Sequence, residues 1–291
     1  ETTANVLDVV NVKGKTAVIL DSTPCYPEMG GQVGDAGELI QSGETWRVVD
    51  TQRVGNATLH FLESNDAPAL GSEINVTVDL YRRFSIQRHH TVTHILHWAL
   101  HEVVGRDAAQ KGSYVGPDKL TFDFNSAPLT RAQVGDLEKL VNERILENAP
   151  VGWTETSYAE VKNRKDVMQF FGDKYGDVVR VVQVGDYSTE LCGGTHVKAT
   201  GEIGLFRIVA ESSVAAGIRR IEAGAGREAY MKSRFEYELL QEVSQKLSTA
   251  PADVIHRVEA LLEQTKKLEK AKKEQAKAAA TLSGMRCAAN C

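Results

Sequence analysis

The chain has 291 residues, 42% of them hydrophobic and 25% charged, and 34 Lys plus Arg against 39 Asp plus Glu give it a formal net charge of −5. About 290 residues is enough for roughly two domains that each bury a core. No run of 18 uncharged apolar residues occurs and the polar start Glu1-Thr2-Thr3 is no secretory signal, so a membrane span is excluded and a cytoplasmic context expected. The four cysteines, at 25, 192, 287 and 291, are too sparse for a disulfide scaffold. An acidic balance also argues against a generally basic nucleic-acid binder. The chain lacks an initiator Met, which predicts a piece of a longer protein.

Between Thr16 and Leu80, β-rich runs follow one another closely: Thr16 to Asp21, Glu38 to Gln41, Thr45 to Arg53, Ala57 to Glu63 and Glu73 to Leu80. Turn residues such as Gly43 and Gly55-Asn56 separate them, a pattern that predicts a small antiparallel β-barrel or sandwich over residues 1–82. From Phe84 the period becomes helical. Ile95, Leu96, Ala99, Leu100, Val103 and Val104 form one stripe that Gly105 ends. Lys119 to Phe124 reads as a strand, Thr130 to Asn148 as a helix, and Val178 to Val184 as a buried strand. Glu202 to Ala210 and Val214 to Glu222 read as a closing hairpin, so residues 83–227 are expected to form an α+β core. Residues 228–291 are rich in Ala, Glu, Lys and Leu. Stripes at Phe235, Leu239, Val243 and Leu247 and at Ile255, Val258, Leu262, Thr265 and Leu268 flank Pro251, which predicts a helical hairpin or coiled coil and a possible surface for self-association.

His90 and His94 stand four residues apart on the predicted helix, where i and i+4 side chains share a face and can grip one ion. Downstream, Cys192-Gly193-Gly194-Thr195-His196 places a thiol and an imidazole on either side of a glycine turn. A mixed imidazole and thiolate set favours Zn2+ over Mg2+ or Ca2+. His97 and His101 continue the same stripe, all four helical histidines falling within about 60° of arc, so spacing alone does not choose the ligand pair. His89 points to another face. The helix lacks the Glu of H-E-x-x-H, which excludes a metalloprotease motif, and no P-loop occurs anywhere in the chain.

Three blocks, His90-Thr91-Val92-Thr93-His94-Ile95-Leu96-His97, Ala109-Gln110-Lys111-Gly112-Ser113 and Glu190-Leu191-Cys192-Gly193-Gly194-Thr195-His196-Val197, resemble signature segments of the editing domain of alanyl-tRNA synthetases. The stretch from Asp21 to Asp35, with Gly30-Gly31-Gln32, resembles that family's glycine-rich loop, and Ala216 to Ala223 its closing strand. The resemblance covers residues 1–227 in order. Cys25 departs from it, standing where the family usually carries Phe, and reads as a small apolar filler. The resemblance implies that His90, His94, Cys192 and His196 bind zinc, that His97 supports the helix or the ligands, and that His101 is an exposed helix residue.

The implied reaction is hydrolysis of serine or glycine from mischarged alanine tRNA. An alanine pocket distinguishes these neighbours by only about 1–3 kcal/mol, so a second hydrolytic site is required. Gln110 is the candidate for positioning substrate or water. Glu190, two residues before Cys192 on an extended segment, is placed either to activate water or to hold a zinc histidine. Gly30, Gly31 and Gln32 are candidates for a loop whose amides approach substrate. Residues 1–228 carry 23 basic and 31 acidic side chains, net −8, and residues 229–291 carry 11 and 8, net +3. An acceptor-end tRNA contact must therefore be local, with Arg82, Arg83, Arg88, Lys111, Arg219 and Arg220 as candidates. The alternatives are a freestanding alanyl-tRNA editing protein and a non-catalytic zinc-dependent RNA-binding module. Cys287 and Cys291 are expected to be ordinary helix thiols.

Overall fold

The structure, a computed structural model, describes residues 1–169 and 176–288, with side chains described through residue 277 outside that gap. It divides into two compact units, Glu1–Tyr230 and Met231–Cys291. The first unit opens with six strands, β1 (Thr2–Val12), β2 (Lys15–Leu20), β3 (Gly37–Gln41), β4 (Glu44–Val54), β5 (Ala57–Leu62) and β6 (Glu73–Val78), which close into an antiparallel barrel in the order β1-β2-β5-β4-β3-β6. Val6, Val18, Leu39, Trp46, Val48, Ile74 and Val76 fill it, and Cys25 packs among them as the expected filler. Strand β1 is absent from the sequence expectation, yet it closes the barrel by pairing with both β2 and β6. Its alternation is blurred because Leu7 and Val9 face outward and the register slips between Val6 and Asp8.

His60 on β5 is fully buried, its Nδ1 3.0 Å from the Val18 carbonyl oxygen and its Nε2 2.8 Å from Thr23 Oγ1. Burial holds its pKa below the ordinary value, so the unfolded chain binds the proton more readily than the folded one. Stability is therefore expected to fall as pH drops below about 6.5. In His60→Gln that loss shrinks, measured as the urea midpoint at pH 7 against pH 5; an unchanged pH dependence refutes the assignment.

Asp79 caps helix α1 (Leu80–Val103), its Oδ1 accepting from the Arg82 amide at 3.0 Å, so the helix starts four residues before Phe84. Buried Asp35 receives Arg83 Nε at 2.9 and 3.0 Å and binds the barrel to this first turn. Two sheets follow. Strands β7 (Gln110–Val115), β8 (Leu120–Asn125), β12 (Phe206–Ala215) and β13 (Ile218–Ala225) make one in the order β12-β13-β8-β7; β9 (Val151–Ser157), β10 (Val178–Val184) and β11 (Ser188–Leu191) make the other in the order β11-β10-β9. Helix α2 (Arg131–Leu146) begins at a capping box of Thr130 and Gln133. Val92, Ile95, Leu96 and Leu100 of α1 share one core with Leu137, Val141 and Ile145 of α2, Phe122 and Phe124 of β8, and Val182 and Val184 of β10. Helix α3 (Tyr158–Val161) is a single turn. The α+β content and the small barrel match the expectation.

The closing hairpin is shifted from its expected register. Residues 200–203 form a 3-10 turn, and the chain reverses at Ala216-Gly217, where Gly217 has φ 72. The expected turn at 211–213 lies inside β12, whose exposed Ser212 and Ser213 give it the polarity of a loop.

Helix α4 (Arg227–Lys246) carries the chain into the second unit, where a 3-10 turn at Pro251–Asp253 precedes α5 (Val254–Ala288). The expected break at Pro251 is present. Phe235, Leu239, Ile255, Leu262 and Leu268 are all exposed, so the described residues contain helices but no buried coiled-coil seam. Cys287 lies within α5, its side chain outside the described set, and Cys291 lies outside the described residues. No helix among the described residues is long and apolar enough to cross a membrane.

Candidate functional site

Helix α1 presents His90 and His94 one turn apart, and the turn after β11 carries Cys192 and His196 up to them. Cys192 Sγ lies 3.3 Å from His90 Nε2 and 3.3 Å from His196 Nε2. One ligand atom from each of the four residues falls within 4.8 Å of every other. Donors bonded to one tetrahedral Zn2+ at about 2.0–2.3 Å stand about 3.5 Å apart, so this group could hold a metal ion.

The hydrogen bonds behind the ligands point the same way. Gln32 is fully buried, its Oε1 accepting from the Thr195 amide at 2.9 Å and lying 2.6 Å from His90 Nδ1, while its Nε2 donates to Thr195 Oγ1 at 3.0 Å. Thr91 Oγ1 donates to the Gln87 carbonyl at 2.9 Å and accepts from the Val197 amide at 3.1 Å, with His196 Nδ1 at 3.2 Å. Both imidazoles are thereby fixed with a proton on Nδ1 and a lone pair on Nε2, directed at the thiol. His94 Nδ1 lies 2.9 Å from Glu190 Oε2, and His97 Nδ1 lies 3.2 Å from Glu190 Oε1.

Burial alone would raise the Cys192 thiol, but His90 and His196 beside it bring its pKa well below the ordinary value, toward a thiolate. Burial and the neighbouring His90 hold His196 neutral, down to about 3. Burial would likewise protonate Glu190, yet His94 and His97 keep its carboxylate ionised, with a pKa down to about 2. Cys192 and His196 are thus held toward the deprotonated and neutral forms that bind a metal, whereas Glu190, against the effect of burial, raises His94 to about 10, so His94 would release a proton on binding one.

A cavity of about 800 Å3 opens beside this group, lined by Gly30, Thr93, Gln110, Ser113, Arg180 and Glu190 among others. Gln110 Nε2 donates to Ser113 Oγ at 3.2 Å, which leaves the carboxamide oxygen for another donor. Gly31, at φ 90, packs so closely on Ser113 that a Cβ would meet its carbonyl oxygen at 2.5 Å. The structure thus brings His90, His94, Cys192, His196, Glu190, Gln110 and Gly30 around one space and sets Gln32 behind the ligands.

The candidate tRNA cations are dispersed. Arg83 is committed to Asp35, Arg219 to Glu211 with Nη2 at 2.7 Å, and Arg220 to Asp123 at 2.6 and 2.7 Å. Arg82 donates to the Gly34 carbonyl at 3.1 Å and Arg88 to that of Glu202 at 2.9 Å. Lys111 is exposed on β7.

His89 is fully buried, its Nδ1 2.8 Å from the Gly116 carbonyl and its Nε2 accepting from the Ala225 amide at 3.0 Å, so it ties the end of β7 and the end of β13 to α1. His101 differs from its expected exposure: it is half-buried against His97, with Nε2 3.2 Å from the Ala108 carbonyl. Sequence reasoning missed Thr91, Arg180 and Arg53. Thr91 lies inside a quoted block, but only the fold brings His196 beneath it.

Two family models match. Residues 179–222 match the threonyl and alanyl tRNA synthetase second additional domain, and residues 2–82 match the class II (A) tRNA synthetases. An alanine--tRNA ligase of Methylacidiphilum infernorum is 50% identical over 222 residues, 76% of this chain and 24% of the relative. Those of Dichelobacter nodosus and Acetivibrio thermocellus are 42% and 43% identical, over 90% and 91% of this chain and 30% of each relative. The chain therefore spans about a quarter to three-tenths of the length of the curated relatives it matches. On these matches the chain belongs to the alanyl-tRNA synthetase family, as a segment of it.

Proposed function

We propose that this segment is a zinc-dependent editing site that hydrolyses the ester of Ser-tRNA(Ala) and Gly-tRNA(Ala). The observation that carries the reading is the His90, His94, Cys192 and His196 group, with Nε2 of His90 and of His196 aimed at Cys192 Sγ, beside a cavity large enough for an aminoacylated terminal nucleoside. On this reading 1–82 is a barrel subdomain, 83–227 the editing core, and 228–291 a helical segment whose exposed stripes serve self-association. The site works in the cytoplasm on the acceptor end of tRNA.

Zn2+ held by these four residues would polarise or anchor the substrate at an open position, or, with a closed shell, would fix the pocket wall. Everything else falls to the chain. Glu190 has its carboxylate committed to His94 and His97 and is a weak base, so of its two expected roles the better supported is positioning a ligand histidine. Gln110 holds substrate or water through its free carboxamide oxygen, oriented by Ser113. Lys111, exposed one residue away on β7, is the best placed of the expected cations for the incoming tRNA.

Incubation with seryl-tRNA(Ala) and alanyl-tRNA(Ala) tests the reading: serine is released and alanine retained, whereas release of neither supports a binding module. For Gln110→Ala, zinc content is expected to stay at the wild-type level while kcat/KM on seryl-tRNA falls about tenfold to a hundredfold. Unchanged kinetics remove Gln110 from the site.

A further inference from the structure

We infer that Arg180 is the receptor for the phosphodiester that joins the terminal adenosine of the tRNA to the preceding nucleotide. The inference rests on the editing reading above. Arg180 lies on β10 and lines the cavity beside the metal-ligand group. Its Nε donates to the Cys192 carbonyl at 3.0 Å, and its guanidinium sits over the Trp153 ring at 5.2 Å. These two contacts fix the plane of the fork. They leave Nη2, which is shielded from solvent and has no hydrogen-bond partner among the described residues.

An unpaired buried guanidinium N–H costs stability unless something completes it, and such groups in a folded protein call for an explanation. Here the explanation is chemical. The amino acid of an aminoacyl-tRNA is an ester, so it brings an ammonium and no carboxylate. The only anion that can enter the cavity with it is phosphate. A fork already oriented by a stacked ring and one backbone carbonyl is suited to a phosphate oxygen pair. Arg53 of β4 reaches the same cavity from the barrel, is exposed, and forms no ion pair among the described residues. Glu190, the acid in the cavity wall, is occupied by His94 and His97 and does not compete for Arg180. Two cations from two sheets thus line one cavity together with His90, His94 and Cys192.

The bond from Arg180 Nε to the Cys192 carbonyl adds a second consequence. A phosphate drawn onto the fork is registered, through one main-chain contact, against a metal-ligand residue, so the ester and the phosphate are placed by the same rigid element.

The test uses two non-hydrolysable probes, 3′-deoxy-3′-serylamino-adenosine with and without a 5′-phosphate, titrated calorimetrically into the zinc-loaded chain. The wild type is expected to bind the phosphorylated probe about tenfold more tightly. Arg180→Gln is expected to lose that preference while binding the unphosphorylated probe as the wild type does and keeping its zinc. Equal wild-type affinity for the two probes overturns the inference without using any variant, as does a preference that survives in Arg180→Gln. Seryl-tRNA deacylation by the wild-type chain, run in parallel, reports the editing reading separately. Turnover without a phosphate preference sinks only the role of Arg180, whereas no turnover and no binding of either probe sink both.

Discussion

Replacing Cys192 by alanine is expected to reduce bound zinc from about one ion per chain to about a tenth of that, and to lower deacylation of seryl-tRNA by about a thousandfold or more. The thiolate is the only anionic donor among the four and the one on which two imidazole lone pairs converge. Four-donor structural zinc sites bind with apparent free energies of about 10–16 kcal/mol, and most of that is coupled to folding. Chelation should therefore lower the melting temperature of the wild type by several degrees, and leave that of Cys192→Ala where it already lies. Cys25→Ala is the informative control. That thiol is buried in the barrel core, so its loss costs about 1–2 kcal/mol of packing but leaves zinc at the wild-type level. Elemental analysis decides: full occupancy in Cys192→Ala removes the cysteine from the ligand set.

Gly194→Ala is expected to be nearly as damaging, although residue 194 contributes no ligand. A Cβ there would be driven into the His90 ring and would stand 2.7 Å from Gln32 Oε1. Neither neighbour can retreat. His90 is held on α1 and bonded to Gln32, and Gln32 is buried with its side chain hydrogen-bonded to His90 and Thr195. Overpacking of this kind costs about 1–3 kcal/mol, and here it falls on the orientation of a metal ligand. Zinc affinity should drop by at least tenfold. Gly193→Ala is the contrast, since its Cβ would meet only the flexible Met29 side chain, at 3.3 Å. Competition against a fluorescent zinc chelator measures both, and equal affinities for the two variants contradict the packing argument.

Several parts of this arrangement were legible in the amino-acid order and others were not, for definite reasons. The helix bearing His90 and His94 follows from the apolar period at Ile95, Leu96, Ala99 and Leu100, each fully buried in the structure. The i and i+4 spacing placed two donors on one face, and Cys192 with His196 carried the glycine turn that lets them converge. That same period left His97 and His101 open as ligands. Tertiary contacts distinguish them: His97 turns to Glu190 and His101 to the Ala108 carbonyl. Gln32 was legible as part of a glycine-rich loop but not as the partner of His90, because the two lie 58 positions apart and only closure of the barrel against α1 brings them together. Strands β1 and β9 expose apolar residues such as Leu7 and Trp153, which hides their alternation. The cations at 83, 219 and 220 looked available as charge clusters. In the fold each is opposed by a carboxylate from a neighbouring element, Asp35, Glu211 or Asp123.

The most direct measurement is single-turnover deacylation of seryl-tRNA(Ala) and alanyl-tRNA(Ala) by the zinc-loaded chain, repeated after chelation. Serine is expected to be released at least about a hundredfold faster than alanine, glycine to be released as well, and chelation to remove the activity. Equal rates for serine and alanine, or full activity in the zinc-free chain, would rule out a zinc-dependent editing site.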